Sequence, residues 1–157
     1  MSAMDISVVA VGKLRPYYRQ AVDDYLRRLK RYATLQEHEV REASRAPTAP
    51  AQRADEAARL EARVPDGSTI VALAREGIGW SSKELARQLE RWLLAGRPLS
   101  LLIGGSHGLD QGLIDRAHAR WSLGPLTFPH ELARVVAVEQ IYRAFTILRG
   151  EPYHKGV

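Results

Sequence analysis

The sequence predicts an α/β fold, a mostly parallel sheet with helices on both faces. Two observations predict it. First, the strand-like segments Ile6 to Val11, Thr69 to Ala74 and Leu99 to Ile103 are continuous apolar runs rather than alternating ones. Strands buried on both faces read this way, and such strands belong to parallel sheets. Second, segments with helical period separate the strands, and strand–helix alternation builds parallel layers. With 157 residues the chain suits one domain, 1–157, around one core.

The elements follow in chain order. Ile6 to Val11 is ended by Gly12. Pro16 then suits the first turn of a helix, where Tyr18, Val22, Tyr25, Leu26 and Leu29 recur at helical spacing through Arg31. Leu35 to Glu42 is a polar strand candidate, expected near a sheet edge. Ala43 to Pro50 has two prolines and no apolar period, so a mobile loop is expected. Ala51 to Arg63 reads as a polar surface helix. Pro65-Asp66-Gly67 is a turn, since Pro presets φ and Gly accepts positive φ. After the strand Thr69 to Ala74, Ser81 and Glu84 form a capping box for a helix through Leu94, with Gly96 past its end. After Leu99 to Ile103, Asp110 caps a helix burying Leu113, Ile114 and Ala117. A short strand is expected around Leu126-Thr127, then a last helix from about Glu131 to Arg149.

Composition bounds the function. Lys and Arg number 23 against 18 Asp and Glu, a balance of +5 that favours polyanionic partners. Six of the basic residues fall between Arg15 and Arg31. Cysteine is absent, which excludes disulfides, thiolate nucleophiles and cysteine-held zinc. The five histidines show no local metal spacing, so no metal is expected. No apolar run approaches the ~20 residues of a membrane span, and Met1 to Met4 leads into a strand without a signal-peptide core. A cytoplasmic protein without membrane contact is expected.

Ligands of open α/β sheets bind outside the carboxyl ends of strands. Three such ends stand out: after Leu73, after Ile103 and around Leu126. Gly104-Gly105-Ser106-His107-Gly108 allows close backbone approach, but it is neither a dinucleotide fingerprint nor an NTPase phosphate loop. The apolar Leu123-to-Phe128 segment suits the wall of an adenine-sized pocket. The last helix is apolar nearly all round, so a partner subunit is expected on its second side. Glu139 and Arg143 sit i,i+4 on it. Tyr153-His154-Lys155 joins an aromatic, a titratable ring and a cation, which suits base stacking and phosphate contact.

Taken together, Leu101-Leu102-Ile103-Gly104-Gly105, Trp121-Ser122-Leu123, Leu126-Thr127-Phe128-Pro129-His130, Tyr142-Arg143-Ala144 and Pro152-Tyr153-His154 resemble the ribosomal RNA large subunit methyltransferase H family. The family belongs to the SPOUT class of S-adenosylmethionine-dependent enzymes, and the resemblance runs from Val9-Ala10-Val11-Gly12 to the tail. It implies methylation of N3 of a pseudouridine in large-subunit (23S) ribosomal RNA on the ribosome, a C-terminal trefoil knot and a homodimer. The cofactor contacts it implies map to Leu73, Gly104 and the run Leu123, Gly124, Pro125, Leu126, Thr127 and Phe128. Two departures stand out: Lys155 where relatives often carry Arg, and the extra Gly156-Val157.

On this reading Lys13, Arg15 and Arg19 are candidate phosphate contacts. His154 is the first candidate for handling the N3 proton, with Tyr153 stacking and Lys155 favouring a developing anion. The competing class is a non-catalytic ribosome- or RNA-binding α/β module with the same basic surface. A phosphate-binding enzyme built on Gly104 to Gly108 is disfavoured by the missing Lys-Ser/Thr.

Overall fold

The computed structural model describes residues 4–155; the expectations placed on Met1 to Ala3 and on Gly156-Val157 lie outside them. The elements are β1 (Met4–Val11), α1 (Pro16–Leu29), β2 (Ala33–Val40), α2 (Ala49–Glu61), β3 (Thr69–Ile78), α3 (Ser82–Ala95), β4 (Leu99–Ile103), α4 (Gln111–Arg116), β5 (Ala119–Trp121) and α5 (His130–Leu148). The strands form one sheet in the order β2-β1-β4-β3-β5, and every pairing is parallel.

The continuous apolar runs have a simple cause. Successive side chains of a strand point to opposite faces. Ile6, Val8 and Ala10 of β1 enter a core with Leu29, Leu85, Leu89, Ala137 and Val138, from α1, α3 and α5. Val9 and Val11 enter a second core with Leu60, Leu113 and Ile114, from α2 and α4. Both faces are covered, as the α/β reading requires. The arrangement is consistent with the knotted SPOUT fold.

Local signals hold where they were strongest. Pro16 stands in the first turn of α1. Ser81 and Glu84 make the reciprocal capping box, and Gly96 ends α3 at φ 72°. Asp110 accepts the Leu113 N–H at 3.3 Å.

Three expectations are corrected. The segment read as loop through Pro50 is shorter, because α2 begins at Ala49 with Thr48 as its cap. Pro50 fits inside the first helical turn, where its missing N–H removes no bond. Nor is α2 a polar surface helix: Gln52, Glu56, Ala57 and Leu60 are buried. Glu56 accepts the Ala43 N–H at 3.0 Å and the Gln52 amide at 3.1 Å, so the segment after β2 is anchored from below. Finally, Leu126-Thr127 is not a strand. The fifth strand is Ala119–Trp121, and Gly124 (φ 109°) with Pro125, which lacks a donor, turns the following chain into a loop.

The polar β2 is an edge strand, as its sequence suggests, and its acids have a purpose. Arg134, only 1% exposed on α5, pairs with Glu39 and, at 3.4 Å, with Glu37. Its other nitrogen donates to the Gly12 carbonyl at 2.9 Å. Arg19 meets Glu37 and Glu39, each at 2.6 Å, and Asp23 at 2.9 Å. This cluster ties α5 and α1 to the edge of the sheet.

Candidate cofactor site

β3 pairs with β4 only from Thr69 to Ala72. Beyond that its register shifts between Leu73 and Ile78 as it follows β5 instead. Leu73 is therefore not a strand end but the point where two neighbouring strands part. A cavity of about 520 Å³ opens there, between the turn after β4 and the loop after β5. That volume lies in the usual range for small-ligand sites.

The sequence-predicted residues Leu73, Gly104, Leu123, Gly124, Leu126, Thr127 and Phe128 all line the cavity, and Pro125 does not. Three separate stretches of chain thus converge on one space. The cavity also has a polar lining, Arg75, Ser106, His107 and His130, to which the sequence reading assigned no individual role. His130 opens α5, and it follows directly on the wall loop, which was the available signal. Ser106 and His107 lie in the glycine turn singled out from the sequence, and Arg75 gave no signal.

The glycines act in different ways. A Cβ on Gly104 would stand 2.5 Å from the Gly108 carbonyl carbon, inside the turn itself. The turn closes through Gly108 N–H to Gly105 O at 3.0 Å. Gly104 is thus required by the turn's own closure rather than by ligand approach. Gly124, by contrast, faces open space at φ 109°. Its N–H is held by the Ser122 hydroxyl at 3.1 Å. Leu126 remains 71% exposed beside the opening. Apolar walls, bare backbone at Gly104, Gly105 and Gly108 and a few polar groups suit S-adenosylmethionine, whose adenine has apolar faces and a hydrogen-bonding edge. Gly104→Ala is expected to deform the turn and weaken cofactor binding at least about tenfold while the sheet stays folded; isothermal calorimetry with circular dichroism checks it.

The tail is packed, not frayed. The Tyr153 hydroxyl donates to Glu139 at 2.8 Å, and Arg143 donates to the same carboxylate at 2.8 Å. The Arg143 guanidinium also lies 4.9 Å from the Tyr153 ring centre and 3.1 Å from His154 Nδ1. Burial first, then hydrogen bonds with Tyr25 and Glu139, push the Tyr153 phenol well above its ordinary range. It therefore keeps its proton and acts as a hydrogen-bond donor to Glu139. A guanidinium only donates, so His154 Nδ1 accepts, and a neutral ring carries its N–H on Nε2. None of Tyr153, His154 and Lys155 lines the cavity.

Of the basic residues singled out, Lys13 and Arg15 are exposed, and Arg15 reaches Glu131 at 3.5 Å beside His130. Arg19 is occupied by its three carboxylates.

Comparisons with known proteins give the family. The family model described as "Predicted SPOUT methyltransferase" matches residues 4–154, so the chain has the fold of a SPOUT methyltransferase, a class that uses S-adenosylmethionine. A "Ribosomal RNA large subunit methyltransferase H" from Anaeromyxobacter sp. is 43% identical, covering 97% of this chain and 100% of that protein. The protein of the same name from Methylococcus capsulatus is 41% identical, with the same coverage. The chain belongs to the ribosomal RNA large subunit methyltransferase H family. A crystal structure of a probable methyltransferase from Bordetella pertussis Tohama I shares the fold at 17% identity (TM-score 0.51), covering 90% of this chain and 96% of that one.

Proposed function

We propose that the protein methylates N3 of a pseudouridine in 23S ribosomal RNA of the large subunit, acting on the ribosome in the cytoplasm. One observation carries the reading. A cavity of about 520 Å³, in the range for small ligands, stands where β3 and β4 part, in a chain similar over 97% of its length to a large-subunit methyltransferase. Bound S-adenosylmethionine supplies a methyl group already activated by its positive sulfur. The backbone of Leu123 to Phe128 and of the Gly104 turn would hold the adenine.

The chain's own chemistry concerns the target base. Loss of the N3 proton spreads negative charge over the flanking carbonyl oxygens. His154 Nε2–H, Arg143 and Lys155 are donors suited to that charge. With Nδ1 held by Arg143, His154 acts through a hydrogen bond to the base, and water takes the proton. Tyr153 orients this group through Glu139.

We also infer a homodimer built on α5. Leu132, Val135, Val136, Glu139 and Arg143 form a half-exposed stripe along it. The tail sits on this face and away from its own cavity. A second copy packed on the stripe lets the tail of one subunit serve the cavity of the other.

The test uses ribosomes and labelled cofactor. One methyl group on N3 of a single large-subunit pseudouridine is expected. Cofactor binding with no transfer to ribosomes or free ribosomal RNA would overturn the activity. Failure to bind the cofactor at all would favour a non-catalytic binding module.

A further inference from the structure

Of the expected phosphate contacts, Lys13 and Arg15 precede α1, and Arg19 within it is neutralised by its carboxylates. A cluster of arginines without ion pairs stands elsewhere. At the carboxyl end of β2, the chain after Val40 and the outer face of α2 enclose a groove of about 860 Å³. Arg41, Arg45, Arg59 and Arg63 line it. None of the four forms an ion pair among the described residues. Glu39, Glu42 and Asp55 also reach the groove, but Glu39 is engaged by Arg19 and Arg134. Four guanidinium groups thus face two free carboxylates.

The groove is also pre-shaped. Arg59 donates to the Arg41 carbonyl at 2.7 Å, which fixes that guanidinium across the groove. Glu56, 2% exposed beneath it, holds the Ala43 N–H. Such order lowers the entropy lost when a ligand is gripped.

Its place in the fold gives it meaning. All five strands are parallel, so the groove after β2 and the cavity after β4 open on the same edge of the sheet. Two strand spacings, about 10 Å, separate β2 from β4.

We propose that Arg41, Arg45, Arg59 and Arg63 form a phosphate-binding groove for the ribosomal RNA that flanks the target nucleotide. The proposal rests on the RNA reading given above. Planar guanidinium groups suit phosphodiester oxygens, and the groove has no large apolar side chain to suit a protein partner.

The test replaces all four arginines by Gln and follows binding to large ribosomal subunits against salt. The slope of log affinity on log salt should fall by about 2 to 3 units, and affinity at low salt by about tenfold or more. The KM for ribosomes should rise while kcat and S-adenosylmethionine affinity stay unchanged. The pair R45Q/R63Q keeps the Arg59 bond and should show about half the loss in slope, which separates charge from local disorder. An unchanged slope and ribosome KM in the fourfold variant would overturn the groove. A wild-type protein that binds ribosomes with the full slope but transfers no methyl would overturn the activity and leave the groove standing.

Discussion

Deletion of Pro152 to Val157 is expected to lower single-turnover methyl transfer to ribosomes by about 100-fold or more. The same deletion should leave S-adenosylmethionine affinity within about twofold, because the turn after β4 and the loop after β5 that line the cavity are untouched. Folding should survive as well. Glu151, which accepts the Tyr32 hydroxyl at 2.7 Å, stays in place. What is lost is the group assembled by Glu139: the Tyr153 phenol, the Arg143 guanidinium and the His154 ring it holds. A base no longer aligned with the methyl forfeits most of the advantage of proximity. Tyr153→Phe isolates one part, since it keeps the ring and loses the bond to Glu139, and a smaller loss in rate is expected. Lys155→Arg keeps the charge and should be tolerated. Calorimetry and rapid-quench methylation on each variant are the measurements. A truncated protein that transfers at the full rate would leave the tail as packing alone.

Val136→Glu is expected to split the dimer, with a dissociation constant raised by about 100-fold or more and methyl transfer lost with it. In the isolated chain Val136 is only half-buried, beside Trp80 and Gln140. A monomer would accept a glutamate there by turning it to water, at a cost within about 0.5 kcal/mol. An interface would bury the charge without a partner, which costs about 3 to 5 kcal/mol. Sedimentation equilibrium separates the two, with thermal unfolding as a check on the subunit. A wild-type monomer at micromolar concentration would refute the interface. A variant that stays dimeric would move the interface off this stripe.

The same residues show how far the sequence could be read. Capping pairs and strand runs were legible because their signals are local: Ser81 with Glu84, Asp110 with Leu113, and the apolar runs that became β1 and β4. The wall of the cavity was legible for a different reason. Gly104 and Leu123 to Phe128 carried a resemblance covering nearly the whole chain. Arg134 was not legible, for it lies within an apolar helix and its partners Glu37 and Glu39 are far back in the chain. Glu56 was hidden likewise, because an alanine-rich helix gives no sign of which polar side chain turns inward.

The sequence by itself determined the layered α/β class, the parallel sheet, most helix ends and the family. Each of these depends on periodicity, on turn chemistry or on motifs whose members lie close together. Only the tertiary structure decided the charge pattern and the site. It parted β3 from β4 to open the cavity, spent Arg19 on carboxylates and left Arg41, Arg45, Arg59 and Arg63 unpaired. It also seated the tail on α5. The reason is physical: a charge acts through whatever stands a few ångströms away, and in a parallel sheet those neighbours come from distant stretches of the chain.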